Sequence, residues 1–376
     1  MSGALVELVA KGVQDAYLTG DPEVSFFHQA YKRHTNFAQK PVPVQYTGTF
    51  GPNQQINMKL LNKGDLLGYI WIDLSNTSLQ ANHLNASTFE LYIGGQLIDR
   101  QIGDYCLYFW QKFLVDSSAK GFALQGTNQT TNAPLTSINV SKWFPLHFFF
   151  CDSCYLPLVA LQYHEVEIRI SCGSDMPTPN KQPSIFANYI VLDTLERTSI
   201  SNKEHNLLIE QVQSVLLNSE RSSSSNKFDL SFLNHPVKCL LWGSSSGDTN
   251  TSYLLTNQVQ LYLNGTEIFE SPMSDIYFSS VQNYYHSEFA SVLMGDSNST
   301  RSQTSDGSGG NLKMYSFALK ANKHQPCGTC NFSRLDTASL NFGSVIHGNV
   351  LHDNLYAVNF NIFRIKDGLG GLAFSS

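Results

Sequence analysis

The chain has 376 residues and a mass of 41.9 kDa, enough for two or three domains of ~100–200 residues. Hydrophobic residues at 42% and aromatics at 12% exclude a disordered chain, and 26 Gly with 13 Pro are too few for a collagen-like or low-complexity one. Only 14% of residues are charged, against roughly 25% in ordinary soluble domains, and a net charge of −6 argues against a nucleic-acid coat.

At the N-terminus Leu5, Leu8, Val9 and Val13 follow the spacing of one helical stripe, which predicts a helix in the segment 1–35, docked on its own domain unless, as the resemblance drawn below implies, the segment is an arm. Glu7 interrupts that segment and no basic run precedes it, so it does not read as a signal peptide. Ser2 stands where N-myristoylation needs glycine. No apolar run reaches the ~18–20 residues of a membrane span. The densest stretch, 143–150, is broken by Pro145 and His147. Seven cysteines, an odd count without a dense framework, read as reduced thiols of a protein made in the cytosol.

Beyond the arm the chain alternates with period 2. Ile56 and Leu60, then Tyr69 to Ile72, mark the first strands. Phe89 to Ile93 alternates and meets a Gly94-Gly95 turn, with Ile98 on the return strand. A short helical pattern follows over 104–115, then a polar stretch over 116–142. Strands resume at 143–150, 163–170 and 185–191. A polar link over 198–205 leads into a strand at 207–217.

From there the plan repeats. Val259 to Leu263 with its Asn264-Gly265 turn matches Phe89 to Gly95 at an offset of 170, and Ile268 answers Ile98. Trp242 answers Trp71 at 171, Phe228 and Phe232 answer Ile56 and Leu60 at 172, and Tyr277-Phe278 answers Tyr108-Phe109 at 169. The second helical pattern covers 272–285 and the second polar stretch 287–313. Loops longer than ~12–15 residues are uncommon unless they serve a purpose, and these two occupy one place in both copies. Each copy has about eight short antiparallel strands, one helix and one long loop. That predicts an all-β chain, a tandem double jelly roll of two eight-stranded antiparallel β-sandwiches with short helices. Periodicity alone also allows immunoglobulin-like sandwiches; unit size and the inserted helix favour the jelly roll. The expected division is 36–200 and 201–376.

Candidate chemistry is sparse. Cys151–Cys154 and Cys327–Cys330 are C-x-x-C pairs, but they lie in different copies and far outside zinc-ribbon spacing, so they read as thiols packed like small apolar groups. His164-Glu165-Val166-Glu167 alternates along a strand with no companion H-x-H, and His164 reads as structural. Gly94-Gly95 and Gly307 to Gly310 lack the following helix and Lys-Ser/Thr of a phosphate cradle. Lys32-Arg33-His34 reads as a solvated turn. No catalytic set, metal site or cofactor site is expected. Of the sequons, Asn128 and Asn298 lie in the long loops and are the best-placed glycan acceptors; Asn264 and Asn331 fall in structured turns.

Several runs are family-specific. Gly12-Val13-Gln14-Asp15-Ala16-Tyr17-Leu18-Thr19-Gly20-Asp21-Pro22 continues to Tyr31-Lys32-Arg33-His34-Thr35-Asn36-Phe37. Glu90 to Asp99, Leu156 to Val166, Gln325 to Asp336 and Gly370 to Ser375 add to them. Together they resemble major capsid proteins of nucleocytoplasmic large DNA viruses, the algal-virus branch especially, over almost the full length. The long loops are short for that family, and Cys327 replaces a small residue. The resemblance implies a double jelly roll whose homotrimer forms a pseudo-hexagonal capsomer. It also implies an icosahedral virion shell over an internal membrane, assembled in the host cytoplasm. The implied partners are neighbouring capsomers, minor capsid proteins and the inner membrane beneath the base, with no direct nucleic-acid contact. The competing class is a carbohydrate-binding or glycoside-processing tandem sandwich. It lacks a catalytic constellation here, whereas the terminal motifs favour the capsid reading.

Overall fold

The computed structural model describes residues 3–29, 31–116, 120, 141–152, 154–216, 227–244, 258–274, 276–287, 312–342 and 353–374. Met1–Asn36 and Phe37–Ser376 form two compact units. In the first, α1 (Gly3–Val9) and α2 (Ala16–Thr19) flank a 3-10 turn at Val13–Asp15, and none of these elements buries a residue. The expected stripe is cut short. α1 stops at Val9, and Gly12 is extended at φ −110°, ψ 178°, so Val13 starts a separate turn.

The larger unit is built from four antiparallel sheets. Its first ten strands are β1 (Phe37–Val44), β2 (Tyr46–Thr47), β3 (Gln55–Leu60), β4 (Leu66–Asp73), β5 (Thr88–Ile93), β6 (Gln96–Ile102), β7 (Trp143–Pro145), β8 (Leu156–Pro157), β9 (Val166–Ser171) and β10 (Ser184–Leu192). They make one sheet ordered β1-β10-β4-β7 and a second ordered β2-β3-β9-β5-β6. In the chain, α3 (Tyr105–Leu114) falls between β6 and β7, and α4 (Phe149–Asp152) between β7 and β8. After α5 (Thr194–Ser201) come β11 (His205–Leu216), β12 (Lys227–Asp229), β13 (Pro236–Ser244), β14 (Gln258–Leu263), β15 (Thr266–Glu267) and β16 (Met273–Ser274). A wide helical turn at Tyr277–Val281 runs into α6 (Gln282–His286). The chain ends with β17 (Leu312–Ser316), β18 (Cys330–Asn331), β19 (Ala338–Phe342), β20 (Asp353–Lys366) and β21 (Leu369–Leu372). These form sheets ordered β11-β20-β13-β17 and β12-β19-β14-β15.

The two halves share one wrap. With the eight principal strands of each half counted from its first, one sheet reads 1-8-3-6 and the other 2-7-4-5, which is the jelly-roll order. The same hairpin closes strands 4 and 5 in both. Gly94 and Gly95 have φ of 59° and 80°, and Asn264 and Gly265 have 49° and 77°, the paired positive angles of a type I′ turn. Phe89, Leu91 and Ile93 are buried on one face of β5, as Val259 and Leu261 are on β14.

Several expected elements differ in detail. The strand expected over 143–150 stops at Pro145, which has no N–H for a ladder, and Phe149 to Asp152 turn helical. The strand expected from Tyr163 starts at Val166, because the Tyr163 N–H is taken by the Gly368 carbonyl at 3.1 Å. The link at 198–205 begins as the end of α5, whose Leu195, Glu196 and Arg197 are good helix formers, and ends at the start of β11. Phe232 falls past the end of β12 and is exposed, so only Phe228 of that pair answers its partner.

The tryptophan pairing is wrong by one residue. Trp71 stacks on Phe186 on the outer face of its sheet, while Trp242 is fully buried inside the second sandwich. An offset of 170 places Ile72 on Trp242, and since strand side chains alternate, one residue of slip exchanges the faces.

Candidate functional site

Among the described residues, buried aromatic and charged side chains gather where the two jelly rolls meet. α3 reads Tyr-Cys-Leu-Tyr-Phe-Trp-Gln-Lys-Phe-Leu, apolar on nearly every side, and all ten residues are buried. It closes as a wide helix, with the Val115 N–H donating five residues back to the Trp110 carbonyl at 3.0 Å. One side belongs to the first sandwich. The other lies on the outer face of the β11-β20-β13-β17 sheet, where Tyr105 and Phe109 hold Tyr356 at ring separations of 5.4 and 5.0 Å. Cys239, Leu241, Met314 and Val358 on that face join the first half's core cluster. Phe149 of α4 adds a contact to Phe363 of β20 at 5.9 Å.

Several polar groups form hydrogen bonds across the seam. The Tyr356 hydroxyl donates to Asp104 Oδ2 at 3.3 Å, and Lys112 Nζ donates to the Leu312 carbonyl at 3.0 Å. Asp99 on β6 accepts the Val212 N–H from β11 at 3.0 Å and the Gln101 amide at 2.7 Å. Burial pushes Asp99 up to about 7, opposed by the hydrogen bonds from Val212, Gln101 and the Arg100 N–H. The Gln211 side-chain amide donates to the Ile98 carbonyl.

Beside this lies a cleft of about 230 Å³ edged by two charged groups. Glu210 meets Lys238 at 2.6 Å and His324 at 3.5 Å, and Asp152 meets His147 at 3.0 Å and Lys120 at 3.5 Å. Burial acts to raise both carboxyls, but the hydrogen bonds and electrostatic attraction of these partners hold each below its ordinary range. His147 is also stacked on Trp110 at 3.8 Å. A third tie comes from the β20–β21 hairpin, which turns at Asp367 and Gly368 with φ of 52° and 79°. The Gly370 N–H donates to His164 Nδ1 at 3.1 Å, and Gly368 lies against the Tyr163 ring. The arrangement locks one sandwich onto the other.

The residues singled out from sequence are dispersed. His164 sits just before β9, with its ring under Gly94: a Cβ there would lie 2.3 Å from His164 Nδ1. Cys151 is on α4, with its thiol pushed up by burial, and Cys154 Sγ donates to the Phe149 carbonyl at 3.5 Å. Cys327 instead pairs with Lys320, accepting its N–H at 3.2 Å, while Cys330 opens β18. Among the described residues no group of three His, Cys, Asp or Glu is placed to hold a metal ion. Lys32, Arg33 and His34 are exposed. Asn264 Oδ1 accepts the Asp336 and Thr337 N–H groups, and Asn331 Oδ1 accepts that of Ser333. Asn128, Asn298 and the Gly307 to Gly310 run lie outside the described residues. Sequence reasoning missed the seam. Its signal was the all-round apolar character of 105–114, which marks a helix buried on every side.

Comparison with known proteins covers both halves. A family model described as "Major capsid protein N-terminus" matches residues 25–200, and one described as "Large eukaryotic DNA virus major capsid protein" matches 196–371. The major capsid protein of Pyramimonas orientalis virus is 35% identical with all of both chains covered, and that of Paramecium bursaria Chlorella virus 1 is 29% identical on the same coverage. The crystal structure of PBCV-1 VP54 superposes with a TM-score of 0.70 at 27% identity, over 94% of this chain and all of that one. The Faustovirus major capsid protein shares the fold at 10% identity, with a TM-score of 0.61, over 95% of this chain and 94% of its own.

Proposed function

The chain belongs to the major capsid proteins of large eukaryotic DNA viruses, and from that premise we propose that three copies associate into a pseudo-hexagonal capsomer of the virion shell. The observation that carries this reading is the duplication itself. Two sandwiches of identical strand order per chain, taken three times, approximate a six-fold outline under closed cyclic symmetry. The sparse charge fits it, since interface cores are depleted in charged residues. The units are residues 36–200 and 201–376, preceded by an arm over 1–35. Capsomers tile an icosahedral shell over an internal membrane, after assembly in the host cytoplasm. The arm, with Leu8, Val9 and Val13 exposed, contacts neighbouring capsomers or minor capsid proteins. The role is association, with no catalysis and no direct nucleic-acid contact. Glycans, where present, sit on Asn128 and Asn298; intact mass of virion protein equal to the bare chain removes that element. The central test is solution mass with electron microscopy of purified protein. Six-lobed particles at three times 41.9 kDa support the capsomer. A monomer at all working concentrations sinks it.

A further inference from the structure

The seam inside the chain shows what each jelly roll presents to the next. The first unit offers a knob, α3 with α4; the second offers a socket, the outer face of its β11-β20-β13-β17 sheet. Both are covered because they cover one another. The duplication implies a second knob and a second socket, one on each free side, and the register identifies them. Leu241 pairs with Tyr356 and with Met314 in the covered socket. Trp71 pairs with Phe186 and with Pro145 in the equivalent sheet of the first unit. Trp71 and Phe186 stand 170 residues before Leu241 and Tyr356.

The covered residues are fully buried, whereas their counterparts are not. Tyr69, the equivalent of Cys239, is 47% exposed, and Trp71, Phe186 and Pro145 are half-buried. Tyr69, Trp71 and Phe186 form a continuous aromatic row, with ring separations of 5.8 and 5.2 Å. The knobs differ in the same way. Phe149, which packs on Phe363, is 4% exposed, but Leu319, 170 residues later, is 70% exposed. The helical segment 276–286 commits Phe278 to its own core yet leaves Ile276, Tyr284 and Tyr285 exposed. Leu319 lies beside that segment, because the Ala321 N–H donates to the His286 carbonyl at 2.7 Å.

We propose that the exposed knob of one copy, Ile276, Tyr284, Tyr285 and Leu319, docks on the Tyr69–Trp71–Phe186–Pro145 face of a second copy, repeating between chains the contact made within one. This rests on the capsomer reading above and names its interface. The contact is heterologous, head to tail, and three copies form a ring when its rotation closes, where a rotation that did not close would give an open filament.

The test uses full-length protein with Tyr69→Arg on the socket or Tyr284→Arg on the knob, followed by sedimentation. Each variant is expected to fall from the three-chain mass of the wild type to one chain, with an unchanged far-ultraviolet circular dichroism spectrum. Mixed in equal amounts, the two retain one intact knob and one intact socket, and are expected to form two-chain particles and no larger ring. Should Tyr284→Arg fail to fold, Leu319→Arg probes the same knob. Variants that remain trimeric, or a mixture that stays monomeric, overturn this interface. A wild type that sediments as one chain overturns the capsomer reading itself.

Discussion

Asp99 links a single side chain to solution pH. Its carboxyl is held at about 7 in the folded protein against an ordinary value near 3.8, chiefly by burial. The folded state therefore retains a proton that the unfolded state has released. Stability from this group is fully present below about pH 4 and is lost as pH rises through about 7. Between pH 5 and pH 8 the loss is roughly 2–3 kcal/mol. In urea titrations Asp99→Asn is expected to flatten that part of the pH profile; an unchanged slope would mean that another group is responsible. The two hairpin glycines give a second prediction. Gly265→Ala meets no atom within 4 Å and carries only the left-handed backbone cost, about 1 kcal/mol. Gly94→Ala carries the same cost and also drives a Cβ into the His164 ring, so a further ~1–3 kcal/mol is expected. Equal losses in thermal melts would show that the ring moves freely aside. The turn chemistry of both hairpins was legible in the Gly-Gly and Asn-Gly dipeptides. The ring beneath Gly94 was not, because His164 arrives from a distant segment.

Among the elements, α3 is the one whose loss reaches both sandwiches. Phe109→Ala removes a ring that touches Tyr356 of the other unit and is fully buried, so a cost of ~3–5 kcal/mol is expected. Tyr284→Ala, on the corresponding helical segment, is expected to change monomer stability by less than about 0.5 kcal/mol, since its ring is 79% exposed. Chemical denaturation of the two variants checks the contrast; similar losses would mean that Tyr284 is packed in the isolated chain. Sequence period located both helical segments and most strands, because alternation and turn dipeptides are local signals. It misplaced Trp71, since strand faces invert with every residue and an offset of 171 differs from 170 by one face. It could not find the Glu210–Lys238 pair, which the β11-β20-β13 order of one sheet brings together, or the Asp99–Val212 bond, whose partners meet only by the docking of the two halves.

At the scale of the molecule, the division of the chain into an arm and one larger body makes a further prediction. Limited proteolysis of free protein is expected to cut first within residues 3–29, where described apolar residues are exposed, leaving the Phe37–Ser376 body intact. Mass spectrometry of the fragments reads the sites; an arm that resists digestion before assembly would count against its proposed contacts with other capsid components. The order of synthesis is written into the topology as well. β20, the strand at the centre of the second jelly roll's larger sheet, begins at Asp353, so it is made well after the whole of the first sandwich. While the intervening chain is made, Tyr105 and Phe109 already exist and Tyr356 does not. The nascent first sandwich therefore carries an uncovered aromatic face for many seconds at ordinary elongation rates of ~5–20 residues per second. Chaperone demand should be highest in that interval, and a chain terminated before residue 353 should retain the sticky face permanently.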